Sequence, residues 1–271
     1  MMKKIVSVCI AAVASVGLLC GFAREPEENT AFERRQFESA APIASVQVEE
    51  LGAKVTVRTA DTDHVTVEYT DRADQSLYSI AVEDSTLSVR KLDETGGVAD
   101  RSVTITLPRK HYAQVQVSAA AGDVQIQGVE ADSISTDVSA GKVSVQEVRA
   151  GTLEIDSAVG AVRVQDTTAD RLTARSVVGE IRLEQVRAGQ VGAASTLGTL
   201  TLEQVEADTY DCSNVMGTIQ GTLVGDQSQY NIDTQTMVLF GNGVAQQTVP
   251  GSEKSITLRS VLGTITTNFA A

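Results

Sequence analysis

The chain has 271 residues, of which 42% are apolar, and carries a formal charge of −13. This composition excludes a disordered chain and supports a sizeable core, while so acidic a balance opposes nucleic-acid binding. Aromatic residues are only 4% and Trp is absent, so the core has to be built from aliphatic side chains and must be narrow.

The first 23 residues, "MMKKIVSVCIAAVASVGLLCGFA", place Lys3 and Lys4 ahead of an apolar run from Ile5 to Leu19 and end in small residues at Gly21 and Ala23. The pattern predicts a secretory signal peptide cleaved after Ala23, too short and too weakly flanked for a membrane span. A rival reading makes Cys20 the lipidated first residue of a lipoprotein, although Leu19 stands where that pathway normally takes Gly, Ala or Ser. Cleavage removes two lysines and no acids, taking the charge from −13 to −15. The expected location is extracytoplasmic, in the periplasm or at the cell surface, with membrane association only through a lipid on Cys20. An interior thiol, Cys212, remains, so no intramolecular disulfide is expected even where one could form.

Residues 24–42 are charged and without period, and predict a flexible linker, with a short amphipathic helix around Phe32 and Phe37 as the alternative. Residues 43–271 are expected to form a single domain. From 43 to 107 the chain alternates polar and apolar, as in "ASVQVEELGAKVTVRTADTDHVTVEYT". Such runs predict longer strands that begin a coil and cover its open end, interrupted by the loop "DETGGVADR".

A fixed repeat follows, regular over about residues 113–225. Glycines stand at 122, 141, 160, 179, 198 and 217, every interval nineteen. Two and four residues beyond them lie the columns Val124, Val143, Val162, Ile181, Leu200, Ile219 and Ile126, Val145, Val164, Leu183, Leu202. Further pairs recur at offsets 7 and 9 and at offsets 12 and 14, each separated by two, which is strand periodicity. A chain that turns every few strand residues and regains register after nineteen is winding a coil whose layers stack about 4.8 Å apart. The expected fold is therefore an all-β, right-handed parallel β-solenoid with nineteen-residue rungs, irregular N-terminal strands and a C-terminal cap; handedness follows the general preference of parallel crossovers. An antiparallel meander would require Asn-Gly or Asp-Gly hairpin turns, and the regular region has none. After Gly217 the period loosens, with an irregular stretch near Met237 to Phe240, before Gly263 revives it.

Chemistry is sparse in this pattern. The two histidines, His64 and His111, lie outside the repeats without spaced partners and read as surface residues; no nucleophile, metal-binding or phosphate-binding motif occurs. Asp132, Asp170 and Asp208 share one corner on alternate rungs, with Gly151 and Gly189 between them, so neighbouring carboxylates should stand roughly 9.6 Å apart. They read as corner residues bonding nearby amides, with a calcium ladder or paired-acid catalysis as alternatives. Cys212 falls in an inward column as a small hydrophobe, Gln127, Gln146 and Gln165 form a solvated column, and Thr199, Thr201, Thr218 and Thr222 make an outward Thr-rich patch. No catalytic, cofactor-binding or metal-binding residue is assigned, and no cofactor is expected.

The opening "SVQVEELGAKVTVRTADTDHVTVEY", the transition "ITLPRKHYAQVQVSAAAGDVQIQGV" and units such as "SVVGEIRLEQV" resemble the DUF4097-type adhesin family of bacterial β-strand-repeat proteins over roughly residues 43–267. The resemblance implies an exported all-β solenoid whose motifs carry no chemistry, and links to envelope-stress sensing in some members. The expected function is that of a non-enzymatic, adhesin-like interaction protein presenting a rigid polar surface to a protein or envelope-polymer partner. An envelope scaffold or stress-sensing component is the first alternative, and a polysaccharide-active β-helix enzyme the second.

Overall fold

The computed structural model describes residues 32–73, 75–92, 101–236 and 246–270, and among them the chain is all β apart from a single 3-10 turn at Gln227–Gln229. The expected signal peptide with Cys20, residues 24–31, most of the "DETGGVADR" loop and the Met237 to Phe240 stretch lie outside the described residues. Strands β1 (Phe32–Ser39), β2 (Ser45–Glu50), β3 (Lys54–Ala60), β4 (Val65–Arg72), β5 (Tyr78–Glu83), β6 (Thr86–Lys91) and β7 (Ser102–Pro108) form the N-terminal end. The regular part holds β8 (His111–Ala121), β9 (Val124–Gln127), β10 (Glu130–Ala140), β11 (Val143–Gln146), β12 (Arg149–Val159), β13 (Val162–Val178) and β14 (Ile181–Val224). Strands β15 (Asn231–Thr236) and β16 (Ser255–Ala270) complete a β-solenoid-like sheet.

Through the regular part the pairing is parallel and joins residues nineteen apart: Val143 opposes Val124 on one side and Val162 on the other, and Val162 opposes Ile181. All four side chains are buried, as are Leu153, Ile155, Leu172, Leu183, Leu200 and Leu202 from the other inward columns. Burying one such Val or Leu stabilises the fold by about 1.5–3 kcal/mol. A one-residue slip would turn a whole column into water, so the hydrophobic pattern itself holds the register. Thr167 is the polar exception in its column, and its hydroxyl donates to the Gln165 carbonyl at 2.9 Å.

Glycine at the turn is a steric requirement. Gly160 has φ +146°, and a Cβ there would sit 1.8 Å from the Gly141 carbonyl oxygen of the layer before. The turn at the opposite end of the short strands uses left-handed residues too, but of another kind: after Gly128 the same position is filled by Glu147, Asp166, Gln185 and Gln204, all with φ between 49° and 55°. Nothing in the sequence period marks that corner.

The two ends depart from chain order. Strand β2 lies between β6 and β8, and β3 between β7 and β9, so the layer formed by β6 and β7 sits outside the one formed by β2 and β3 although it comes later in the sequence. Beyond it β4 pairs antiparallel with β7, β1 with β4, and β5 with β6. The N-terminal strands do cover the open end, by insertion and reversal instead of simple continuation. Within the stretch expected to be a linker or a short helix, residues 32–39 form β1, paired antiparallel with β4, with Arg35, Phe37 and Ser39 half-buried and Arg34, Gln36 and Glu38 exposed in strand alternation. At the other end β16 is inserted between β14 and β15.

Aromatic residues, absent from the regular bore, plug its ends. Tyr112 is fully buried at one end; Tyr210, Tyr230 and Phe269 pack together at the other with ring centroids 6.1 and 5.7 Å apart. Each buried phenol has a partner: Tyr112 donates to Pro108, Tyr210 to Val205 and Tyr230 to Ala207, all to carbonyl oxygens at 2.7–2.8 Å.

Candidate functional site

The corner that carries Asp132, Gly151, Asp170, Gly189 and Asp208 is concave. Register places these residues one above another, since Ala131 opposes Ala150, Ala150 opposes Ala169 and Ala169 opposes Ala188. The alternation has a steric cause. A Cβ on Gly151 would lie 2.8 Å from the Asp132 carbonyl oxygen, and one on Gly189 would lie 2.8 Å from that of Asp170. The missing side chains leave notches on either side of Asp170. Together with Thr152, Arg171, Gln190, Thr209, Glu253 and Lys254 they line an open cleft of about 900 Å³.

Ion pairs bound this cleft. At its outer end Lys254 meets Asp208 at 3.2 Å, and this contact raises the ammonium above its usual range. At the other end His111, expected to be a partnerless surface residue, lies against the next layer, with Nε2 2.8 Å from Asp132 and Nδ1 3.7 Å from Glu130. The hydrogen bond to Asp132 is the main reason the imidazole is held above its ordinary value. Counting nineteen back from Glu130 gives His111, so the period contained this contact one layer before the first regular glycine. His64 likewise pairs with Glu38 at 2.7 Å, tying β1 to the turn after β3. Among the described residues Asp170 makes no ion pair, and no group of three His, Cys, Asp or Glu side chains could hold a metal ion.

The remaining sequence candidates fall where their columns put them. Cys212 is fully buried, and desolvation pushes its thiol up to about 12, which leaves it unreactive near neutrality. Gln146 stacks between Gln127 and Gln165 on a partly exposed face. The Thr patch is less open than expected, because Thr201 is buried beneath its neighbours and Gln220 reaches its hydroxyl at 3.5 Å. Beside it Arg182 bonds Glu180, Glu184 and Glu203, and on the strand face before the repeat glycines Arg175 bonds Glu154 and Asp156. Such exposed pairs contribute little stability each; they order the polar side chains of two faces.

A stacked, largely parallel sheet with an aliphatic bore and a long polar surface defines a β-solenoid-like repeat protein. The family it belongs to is DUF4097, the Toastrack family, whose model matches residues 43–239. Two solved structures share the fold: a "putative adhesin" from Bacteroides fragilis, 19% identical with a TM-score of 0.57 over 88% of this chain and 97% of that one, and a "putative lipid binding protein" from Parabacteroides distasonis, 12% identical with a TM-score of 0.50 over 90% and 98%. No protein of curated function matches the chain.

Proposed function

We propose that this protein is a non-enzymatic, exported, adhesin-like interaction protein that offers the aspartate–glycine cleft to a protein or envelope-polymer partner. The observation that carries the reading is the cleft itself: a polar concavity of about 900 Å³ built on a solid stack, its shape set by backbone contacts that glycine alone permits. Asp170, exposed between two notches and without an ion pair among the described residues, is the side chain with most to offer a donor-rich partner such as a hydroxylated polymer or a basic peptide segment. The adhesin wording attached to the Bacteroides fragilis structure agrees with this reading. A right-handed coil of nineteen-residue rungs is the architecture it supposes, together with export by the leader over residues 1–23. No cofactor enters the proposal.

The test is co-sedimentation of the purified chain with isolated envelope polymers and with a panel of immobilised glycans and extracellular-matrix proteins. Binding that falls at least tenfold in Asp170→Arg, with the melting temperature unchanged, supports the cleft. Equal binding by the two forms, or none by either, refutes it. Mass spectrometry of the mature N-terminus distinguishes cleavage after Ala23 from a lipidated Cys20.

A further inference from the structure

The corner just before the repeat glycines carries a second long feature. There the chain places two outward residues in succession, and in the five successive layers that end with β16, inside the outermost layer of β15, they are almost entirely aliphatic: Ala158 and Val159, Val177 and Val178, Thr196 and Leu197, Val215 and Met216, Val261 and Leu262. Val159 opposes Val178, Val178 opposes Leu197, and Met216 opposes Leu262, so the second residue of each pair forms one continuous column. Val159, Val177, Val178, Leu197, Val215, Met216, Val261 and Leu262 are each 39–53% exposed. These eight account for most of the large apolar side chains exposed among the described residues. Five layers at the strand spacing give a ridge roughly 20 Å long. An aligned apolar strip on an acidic protein is a site of association, unlike scattered surface leucines.

We infer that this ridge is the contact face of a homodimer in which two copies meet antiparallel about a two-fold axis at Leu197. Three observations select a second copy in that orientation. The first is taper: the ridge is low at Val159 and tall at Met216 and Leu262, so reversing one copy sets Val178 against Met216 of the other and Val159 against Leu262, at even separation. A parallel pair would place the tallest side chains on each other and leave a gap at the low end. The second is charge. The outward residues bordering one side of the ridge are Asp156, Arg175, Ala194, Ser213 and Arg259 in layer order. Reversal brings Asp156 opposite Arg259 of the other copy twice, once on each side of the axis, and juxtaposes no like charges. Arg259 is available for this, its contact within the chain being a 3.5 Å approach to Asp211 with both side chains more than half exposed. The third is area. The apolar strip offers on the order of 500 Å² per copy, and the flanking polar rows raise that toward the roughly 800 Å² of a standard interface.

Sedimentation equilibrium of the purified chain between 1 and 100 μM tests the inference. A monomer–dimer equilibrium is expected, with Leu197→Glu weakening it at least 100-fold because two carboxylates then meet at the axis, while circular dichroism and melting stay unchanged. Asp156→Arg alone and Arg259→Asp alone should each weaken dimerisation several-fold, and the double exchange should restore it. Rescue marks the antiparallel register; a parallel pair would show none. A monomer throughout the range, a dimer indifferent to Leu197→Glu, or single exchanges without rescue overturns the inference. So does flotation of the monomer with neutral phosphatidylcholine vesicles that Leu197→Glu abolishes, which would assign the ridge to a lipid surface. None of these outcomes depends on the aspartate–glycine cleft, which lies at a different corner of the coil.

Discussion

The regular stack and the N-terminal end solve the same problem with different materials. In β8 to β14 each layer lies on a near copy of itself, the interior is aliphatic except for Thr136, Thr167 and a column of small polar side chains at Ser157, Ser176, Ser195 and Asn214, and the turns are held by glycine packed on the carbonyl below. In β1 to β7 strands run both ways and the interior admits charge. Glu50 is buried and accepts from the amides of Leu51, Gly52 and Ala53, while its other oxygen accepts from the Tyr78 hydroxyl at 2.8 Å. Asp71 has no exposed surface and accepts from the amides of Arg72 and Leu77, from Ser76 and from Arg35 of β1. A repeating layer can be extended indefinitely but cannot stop. Stopping takes residues that satisfy a specific, unrepeated set of donors and a reversal of strand direction that leaves no parallel edge for another chain.

The stack is most vulnerable at its turns. Gly160→Ala forces a methyl into the Gly141 carbonyl at positive φ, and should cost on the order of 4 kcal/mol or prevent folding, read from urea unfolding. At the N-terminal end, Asp71→Ala strands two amides and takes from the Arg35 guanidinium its buried partner, leaving it Glu33 and the Arg72 carbonyl. A loss of about 3 kcal/mol is expected, with hydrogen exchange accelerated in β1, β4 and β5 while β10 to β13 stay protected. Uniform acceleration along the chain would instead mean that cap and stack unfold as one unit.

Gln185 occupies a left-handed corner at φ +53° where other layers place glycine or other polar residues, so Gln185→Gly should raise stability by about 0.5 kcal/mol, the relief of backbone strain exceeding the added chain entropy. At the junction of the two regions, the His111 imidazole is held above its ordinary value chiefly by Asp132. Because the folded value is the higher one, the pairing favours the folded chain at pH below the ordinary histidine value and is lost as pH rises through the raised value. NMR titration should place His111 above 6.5, and Asp132→Asn should bring it down.

The bore is legible in the sequence because a single constraint generates it: identical offsets must stack, so Val143, Val162 and Ile181 stand out as a column at intervals of nineteen. The aspartate–glycine corner was legible for the same reason, though not the steric cause of its glycines. The N-terminal layers were not, since their partners are 69 residues apart, as in Ser45 opposite Gln114, and no local pattern reports an insertion between later strands. The corner of Glu147, Asp166, Gln185 and Gln204 escaped notice because these side chains give no sign of positive φ. The apolar ridge did leave a mark: Val177–Val178, Val215–Met216 and Val261–Leu262 place two aliphatic residues in succession before a glycine, which violates strand alternation.

Excision tests whether the chain returns to register every nineteen residues. Removing residues 161–179 joins Gly160 to Glu180 and deletes one complete layer; removing 161–178 instead leaves every downstream side chain out of phase. The first protein should unfold cooperatively in urea with the remaining layers protected from hydrogen exchange, and the second should not fold. Two excised proteins of equal stability would contradict the nineteen-residue register.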